Sequence, residues 1–161
     1  MKKRNLSLTL TMALALLPAL SFSTSAQKER VTTDSAGSGS GAGLSSGMIG
    51  ITAGQTARLS VWNGSDKDVA LRLLFIDSVG KILIICTGIV SSGQSFSDEF
   101  KHADGNGRVE LHGEIRVDDK RDLDGFVPSL EVIDDGTSKT VVTDGANDFV
   151  RFGPIFHPPG D

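Results

Sequence analysis

The sequence predicts an all-β fold, an immunoglobulin-like antiparallel β-sandwich of about seven or eight strands after a signal peptide and a flexible linker. Three observations carry that expectation. From Met48 to Thr143 apolar residues alternate with a period of two in successive runs, separated by turn residues roughly every 8–12 positions. A short phrase occurs twice, as Ile51-Thr52-Ala53-Gly54-Gln55-Thr56 and as Val90-Ser91-Ser92-Gly93-Gln94-Ser95. Each copy fits a corner, where glycine turns the backbone and a hydroxyl residue starts the next extended segment. Finally, no stretch has helical apolar spacing with caps.

At the N-terminus, Lys2-Lys3-Arg4, the mostly apolar Leu10–Leu20 and the small residues Thr24-Ser25-Ala26 have the layout of a cleaved signal peptide over residues 1–26. The apolar run is about half the roughly 20 residues that a membrane helix needs, and Pro18 interrupts it. Residues 27–47 are expected to form a Gly/Ser-rich tether, because Ser35 to Gly43 offers too little apolar area to offset its ordering entropy. The pattern G-x-S-x-G at Gly43–Gly47 falls in that tether, away from the strand-to-helix turn on which its hydrolytic meaning depends.

The sandwich domain is expected over residues 48–144. Ala57, Leu59 and Val61 alternate with Thr56, Arg58, Ser60 and Trp62, and Asn63-Gly64-Ser65-Asp66 is a turn. Val69–Ile76 is apolar on both faces and belongs in the middle of a sheet. Asp77-Ser78-Val79-Gly80 turns the chain into Lys81–Val90, and Phe96 and Phe100 share one face of Ser95–Phe100. Arg108–Val117 alternates most cleanly, with Val109, Leu111, Gly113, Ile115 and Val117 inward and Arg108, Glu110, His112, Glu114 and Arg116 outward. Ser129–Ile133 and Lys139–Thr143 follow, joined by Asp134-Asp135-Gly136. Residues 145–161 carry Phe149, Phe152, Ile155 and Phe156 among prolines at 154, 158 and 159, and are expected to dock in part on the sandwich.

The phrases Gly54–Leu59, Phe75–Leu83, Gly93-Gln94-Ser95, Arg108–Leu111, Leu130–Asp134 and Thr137-Ser138-Lys139-Thr140 together resemble a loose group of small exported bacterial proteins with no assigned activity. The resemblance spans roughly residues 48–143. It implies a β-sandwich and export, and supplies no catalytic residue. The group carries Thr-Gly-Lys/Arg-Thr near its end, where this chain has Ser138 in the glycine position.

Charge and cysteine content narrow the function classes. Loss of residues 1–26 would remove Lys2, Lys3 and Arg4 and no acid, moving the formal net charge from −4 to −7. Such a chain has no basic footprint for nucleic acid or anionic lipid. Cys86 is the single cysteine, so an internal disulfide and a cysteine-held zinc are both excluded, and no cofactor is called for. The expectation is a secreted or periplasmic, non-enzymatic module that binds another protein or plays a structural part. Its binding residues would be Arg108, Glu110, His112, Glu114 and Arg116, with Trp62 either joining them or sealing a sheet corner. The alternative is a calcium-type metal-dependent or hydrolytic exported enzyme that uses Asp118, Asp119, Asp122 and Asp124 with His102 or His112. Lys120 and Pro128 break the EF-hand pattern in that stretch, and His157 lies apart in the tail.

Overall fold

The alternating runs become eleven strands among the residues described by the computed structural model, which are 29–31, 41–102, 105 and 107–153. The expected signal peptide, part of the tether, residues 154–161 and His157 lie outside them. In chain order the strands are β1 (Glu29–Val31), β2 (Ala42–Ser45), β3 (Ile49–Thr52), β4 (Gln55–Asn63), β5 (Val69–Asp77) and β6 (Ile82–Val90). They continue with β7 (Ser95–Lys101), β8 (Arg108–Val117), β9 (Phe126–Asp134), β10 (Lys139–Asp144) and β11 (Val150–Phe152). Two antiparallel sheets result. The larger runs β1-β6-β5-β8-β2-β11, with β3 also on β8, and the smaller runs β10-β9-β4-β7. Their inner faces meet in one core, where Leu73, Phe75, Leu111 and Ile115 of the larger sheet are buried with Ala57, Leu59, Val61 and Leu130 of the smaller. Strand β5, apolar on both faces, lies between β6 and β8, and Leu74 and Ile76 are buried even though they sit outside that core cluster.

Both copies of the Gly-Gln phrase are places where the chain leaves the larger sheet and enters the smaller, from β3 to β4 and from β6 to β7. Gly54 and Gly93 take φ of +80° and +72°, in the left-handed region that a side chain resists. The first corner is tied by Gln55 Oε1, which accepts from Thr52 N at 2.9 Å, and by Asp135 N, which donates to Gly54 O at 2.9 Å. The second is tied to the turn after β4. Gly93 N donates to Asn63 O at 2.7 Å, and Asn63 N donates to Gln94 O at 2.9 Å.

Asn63 is 0% exposed, and its amide has every polar position filled. Its Nδ2 donates to Lys67 O (2.8 Å) and Val90 O (3.0 Å), while Oδ1 accepts from Ser65 N (3.0 Å) and Ser65 Oγ (2.6 Å). A residue that reads as one polar letter of a turn is a buried pin between two loops.

The structure corrects the tether. Ala42 and Leu44 are 4% and 5% exposed and belong to β2, inserted between β8 and β11. The glycines that made this stretch read as linker allow the fit, since no Cβ at Gly43 would clear Ile115 O or the Phe152 ring. G-x-S-x-G therefore runs from a strand into the Ser46–Met48 break before β3, not into a helix. Strand β9 also starts earlier than expected and includes Pro128. Strand β10 pairs only with Leu130–Asp134, so the missing N–H of Pro128 faces no partner strand on that side. In the terminal segment Phe149 is 9% exposed and part of the core, while Val150–Phe152 add a strand to β2.

The hairpin β9–β10 closes with a serine in the left-handed conformation. Ser138 is the one described non-glycine residue at positive φ, +56°. Asp134 holds the turn, its Oδ1 accepting from Thr137 N at 2.7 Å and Thr137 Oγ1 at 2.8 Å.

Two outcomes follow. Asn63→Ala strands the buried carbonyl of Val90 and should lower unfolding free energy by roughly 1–3 kcal/mol in a denaturant titration. Ser138→Gly relieves the left-handed strain and should raise it by about 0.5–1 kcal/mol in the same titration.

Candidate binding surface

Strand β8 projects Arg108, Glu110, His112, Glu114 and Arg116 from the outer face of the larger sheet, as its alternation requires. The five differ in environment. Arg108 and Glu110 have side chains 63% and 56% exposed, 3.9 Å apart at their closest charged atoms. The other three are largely covered, at 20%, 13% and 24% for His112, Glu114 and Arg116. Glu114 sits between its neighbours. Its Oε1 lies 3.3 Å from His112 Nε2, and its Oε2 accepts from Arg116 Nε at 2.8 Å. Arg116 also lies over the Phe152 ring, 6.0 Å from the centroid, a cation–π contact that Gly43 beneath leaves room for. Phe152 comes from β11, a strand that the alternation of the central segments gave no means of placing.

Across the β5–β8 ladder Arg72 stands directly opposite Arg116. Like charges in that position repel, and Glu114 answers Arg116 while Asp118 answers Arg72 at 3.3 Å. The two guanidinium groups line a shallow groove of about 280 Å³ with Ala70, Leu71, Thr87, Gly88, Val117 and Asp118. Beside it on β6, Ile89 is 58% exposed.

Trp62 does not join this row. It projects from the outer face of the smaller sheet, 46% exposed, in register with Ser95 and Val127. Its ring lies against Gly64, where a Cβ would collide with it, and Gly64 N donates to Gly125 O at 2.9 Å.

The acidic stretch 118–124 is a folded cap at one end of the sandwich. Asp119 accepts from Arg121 N at 2.9 Å and so starts the 3₁₀ turn Lys120–Leu123, which Leu123, 2% exposed, anchors in the core. Each carboxylate faces a different cation: Asp118 faces Arg72, Asp119 faces Arg121, Asp122 faces Lys67, and Asp124 faces Arg151 at 3.1 Å. Local balance by Arg121 is readable in the sequence, but the cations at 67, 72 and 151 come from other strands and loops. Among the described residues no three His, Cys, Asp or Glu side chains are grouped to hold a metal ion. His102 lies at the opposite end of β8 from this cap, with Nε2 3.3 Å from Gly107 O, and His112 lies midway along the strand. Ten strand residues span roughly 30 Å, so the groups that a metal-dependent or hydrolytic site would need do not converge.

A second cleft, of about 310 Å³, opens between the 3₁₀ turn and β11. Ala42, Leu123, Phe152 and Gly153 give it apolar walls, and Lys120, Arg121, Asp124 and Arg151 rim it.

Bonding lowers several carboxyl groups. The Arg121 side chain beside Asp119, with the Arg121 backbone N–H, brings its pKa down to about 2. The Thr137 hydroxyl lowers Asp134, and the Thr56 hydroxyl followed by the Lys101 ammonium lowers Asp135. Burial, reinforced by Asp148, raises Asp144.

No protein-family model, curated protein or solved structure matches the chain.

The three lowered carboxyls fix the sign of the acid response. A group with a depressed folded pKa stabilises above its unfolded value and loses that contribution as pH falls through the folded one. Asp144 acts in the opposite sense, one group against three. Stability measured by denaturant titration should be flat above pH ~5 and fall between pH ~4 and ~2, and Asp119→Asn should flatten the lower part of that fall.

Proposed function

We propose that the chain is an exported, non-enzymatic β-sandwich module that binds another protein, in the periplasm or outside the cell, through the outer face of the larger sheet. The observation that carries this reading is the pairing of Arg72 with Arg116 across β5 and β8. Like charges in register repel, and Glu114 and Asp118 hold the two guanidinium groups side by side on this face. Two partly buried arginines lining a groove are suited to a carboxylate or to backbone carbonyls of a partner. Arg116 is held in place by Glu114 and Phe152, which lowers the entropy lost on binding. Arginine beside an aromatic ring, with exposed Ile89 near by, is the composition of an interface hot spot.

The immunoglobulin-like arrangement belongs to the same reading. It is supported by the β5–β6 hairpin, by β5 pairing with β8 and by β4 pairing with β7, with β9 on β4 as this chain's variation. Export is supported by the basic and apolar layout of residues 1–26, and the resemblance to small exported bacterial proteins fits it.

Affinity capture from envelope extract tests the binding face. A partner retained by the wild-type chain should be lost, at roughly tenfold or more weaker binding, when Arg72→Ala and Arg116→Ala are combined. Equal capture by the double variant, shown to be folded by its unchanged circular dichroism, would overturn the assignment.

A further inference from the structure

Strand β10 is the outermost strand of the smaller sheet. Among the described strands it pairs only with β9, and Lys139 to Thr143 are exposed. Its centre is apolar at Val141 and Val142, 53% and 44% exposed, and its charges stand only at the ends. Read backwards, Lys139-Thr140-Val141-Val142-Thr143-Asp144 repeats itself with the end charges exchanged. In a regular strand Lys139 and Asp144 would project from opposite faces. The bulge at Val141 removes that mismatch. Lys139, Val142 and Asp144 stand opposite Asp134, Val132 and Leu130 of β9, so all three share one face, while Thr140 and Thr143 share the other. The strand is thereby symmetric about Val142. The other edge of the sheet, β7, is built differently, because its central residue is Asp98, 3% exposed, and an inward-pointing acid discourages edge pairing.

We infer that β10 is an interface to a second copy of this chain, the two edges pairing antiparallel about a two-fold axis at Val142 and joining the two smaller sheets into one. That axis sets Val142 against its counterpart, Thr140 against Thr143, and Lys139 against Asp144 at both ends. Residues opposite one another in an antiparallel ladder have Cβ atoms roughly 5 Å apart, within ion-pair reach. Among the described residues neither Lys139 nor Asp144 is in an ion pair. The neighbouring charges agree with the pairing. Asp134 is taken up by Thr137, Asp135 faces Lys101 at 3.1 Å, and Glu131 stands opposite Thr143 on the other face. Burial and the charge of Asp148 hold Asp144 above its usual pKa, a penalty that an approaching ammonium relieves. The edge of the smaller sheet is separate from the outer face of the larger, so this interface stands or falls independently of the partner assigned there.

Sedimentation of the full chain from about 1 μM to about 1 mM should show a reversible monomer–dimer equilibrium. Lys139→Asp and Asp144→Lys each set like charges opposite one another at both ends, and each should weaken the dimer at least about tenfold. An equal mixture of the two variants should dimerise as the wild type does, because both ends are then matched. Val142→Cys gives a readout that leaves the charges alone. It should form a disulfide-linked dimer in air, since the one native cysteine, Cys86, is buried, whereas Val79→Cys, at an 85% exposed position in the β5–β6 turn, should not. A wild-type chain that stays monomeric, a dimer indifferent to both charge reversals, a mixture that fails to recover, or equal linking at positions 79 and 142 would each overturn the inference.

Discussion

A chain that passes between two packed sheets has to leave one hydrogen-bond ladder before it reaches the next, and its backbone polar groups must stay paired in the interval. Here that requirement is met by joining loops to one another. Asn63 ties the turn after β4 to the corner between β6 and β7, using its whole amide and its backbone as well. The β9–β10 turn reaches the other corner through Asp135 N and Gly54 O, and Thr56 Oγ1 donates to Asp135 Oδ1 at 2.7 Å. The core supplies most of the free energy of burial, but these links set which strand follows which into which sheet.

Most of the sandwich was legible because its signals are local. Alternation gave β4, β5, β6, β7 and β8 to within a residue or two, and the repeated Gly-Gln phrase marked two of the crossings between the sheets. What escaped depends on long-range fit. Nothing in Ala42-Gly43-Leu44-Ser45 announces a strand, since its glycines are explained only by the Phe152 ring and the Ile115 carbonyl pressed against them. Pro128 seemed to delay β9 because the short reach of β10 is not written in the residues around it.

The site was legible in the same proportion. The outward row on β8 follows from period two alone, and so does its separation from Trp62 once the strands are assigned to sheets. Its internal division does not follow. The covered group His112, Glu114 and Arg116 differs from exposed Arg108 and Glu110 in burial, and at the Arg116 end β11 adds the Phe152 ring. The acidic stretch likewise reads as a cluster of like charges. Folding distributes its members among Lys67, Arg72, Arg121 and Arg151, and a run of aspartates becomes a set of separate ties between the cap and the strands.

The placement of β2 and β3 on β8 bears on the order in which the molecule is made. Ala42 pairs with Val117 and Ile49 pairs with Leu111. Strands β2 and β3 therefore have no ladder partner on this side until β8 has been made. Closing so long a loop is entropically slow, and folding dominated by such contacts runs on the scale of milliseconds to seconds. An N-terminal portion that stops short of β8 thus lacks the strand against which β2 and β3 would zip.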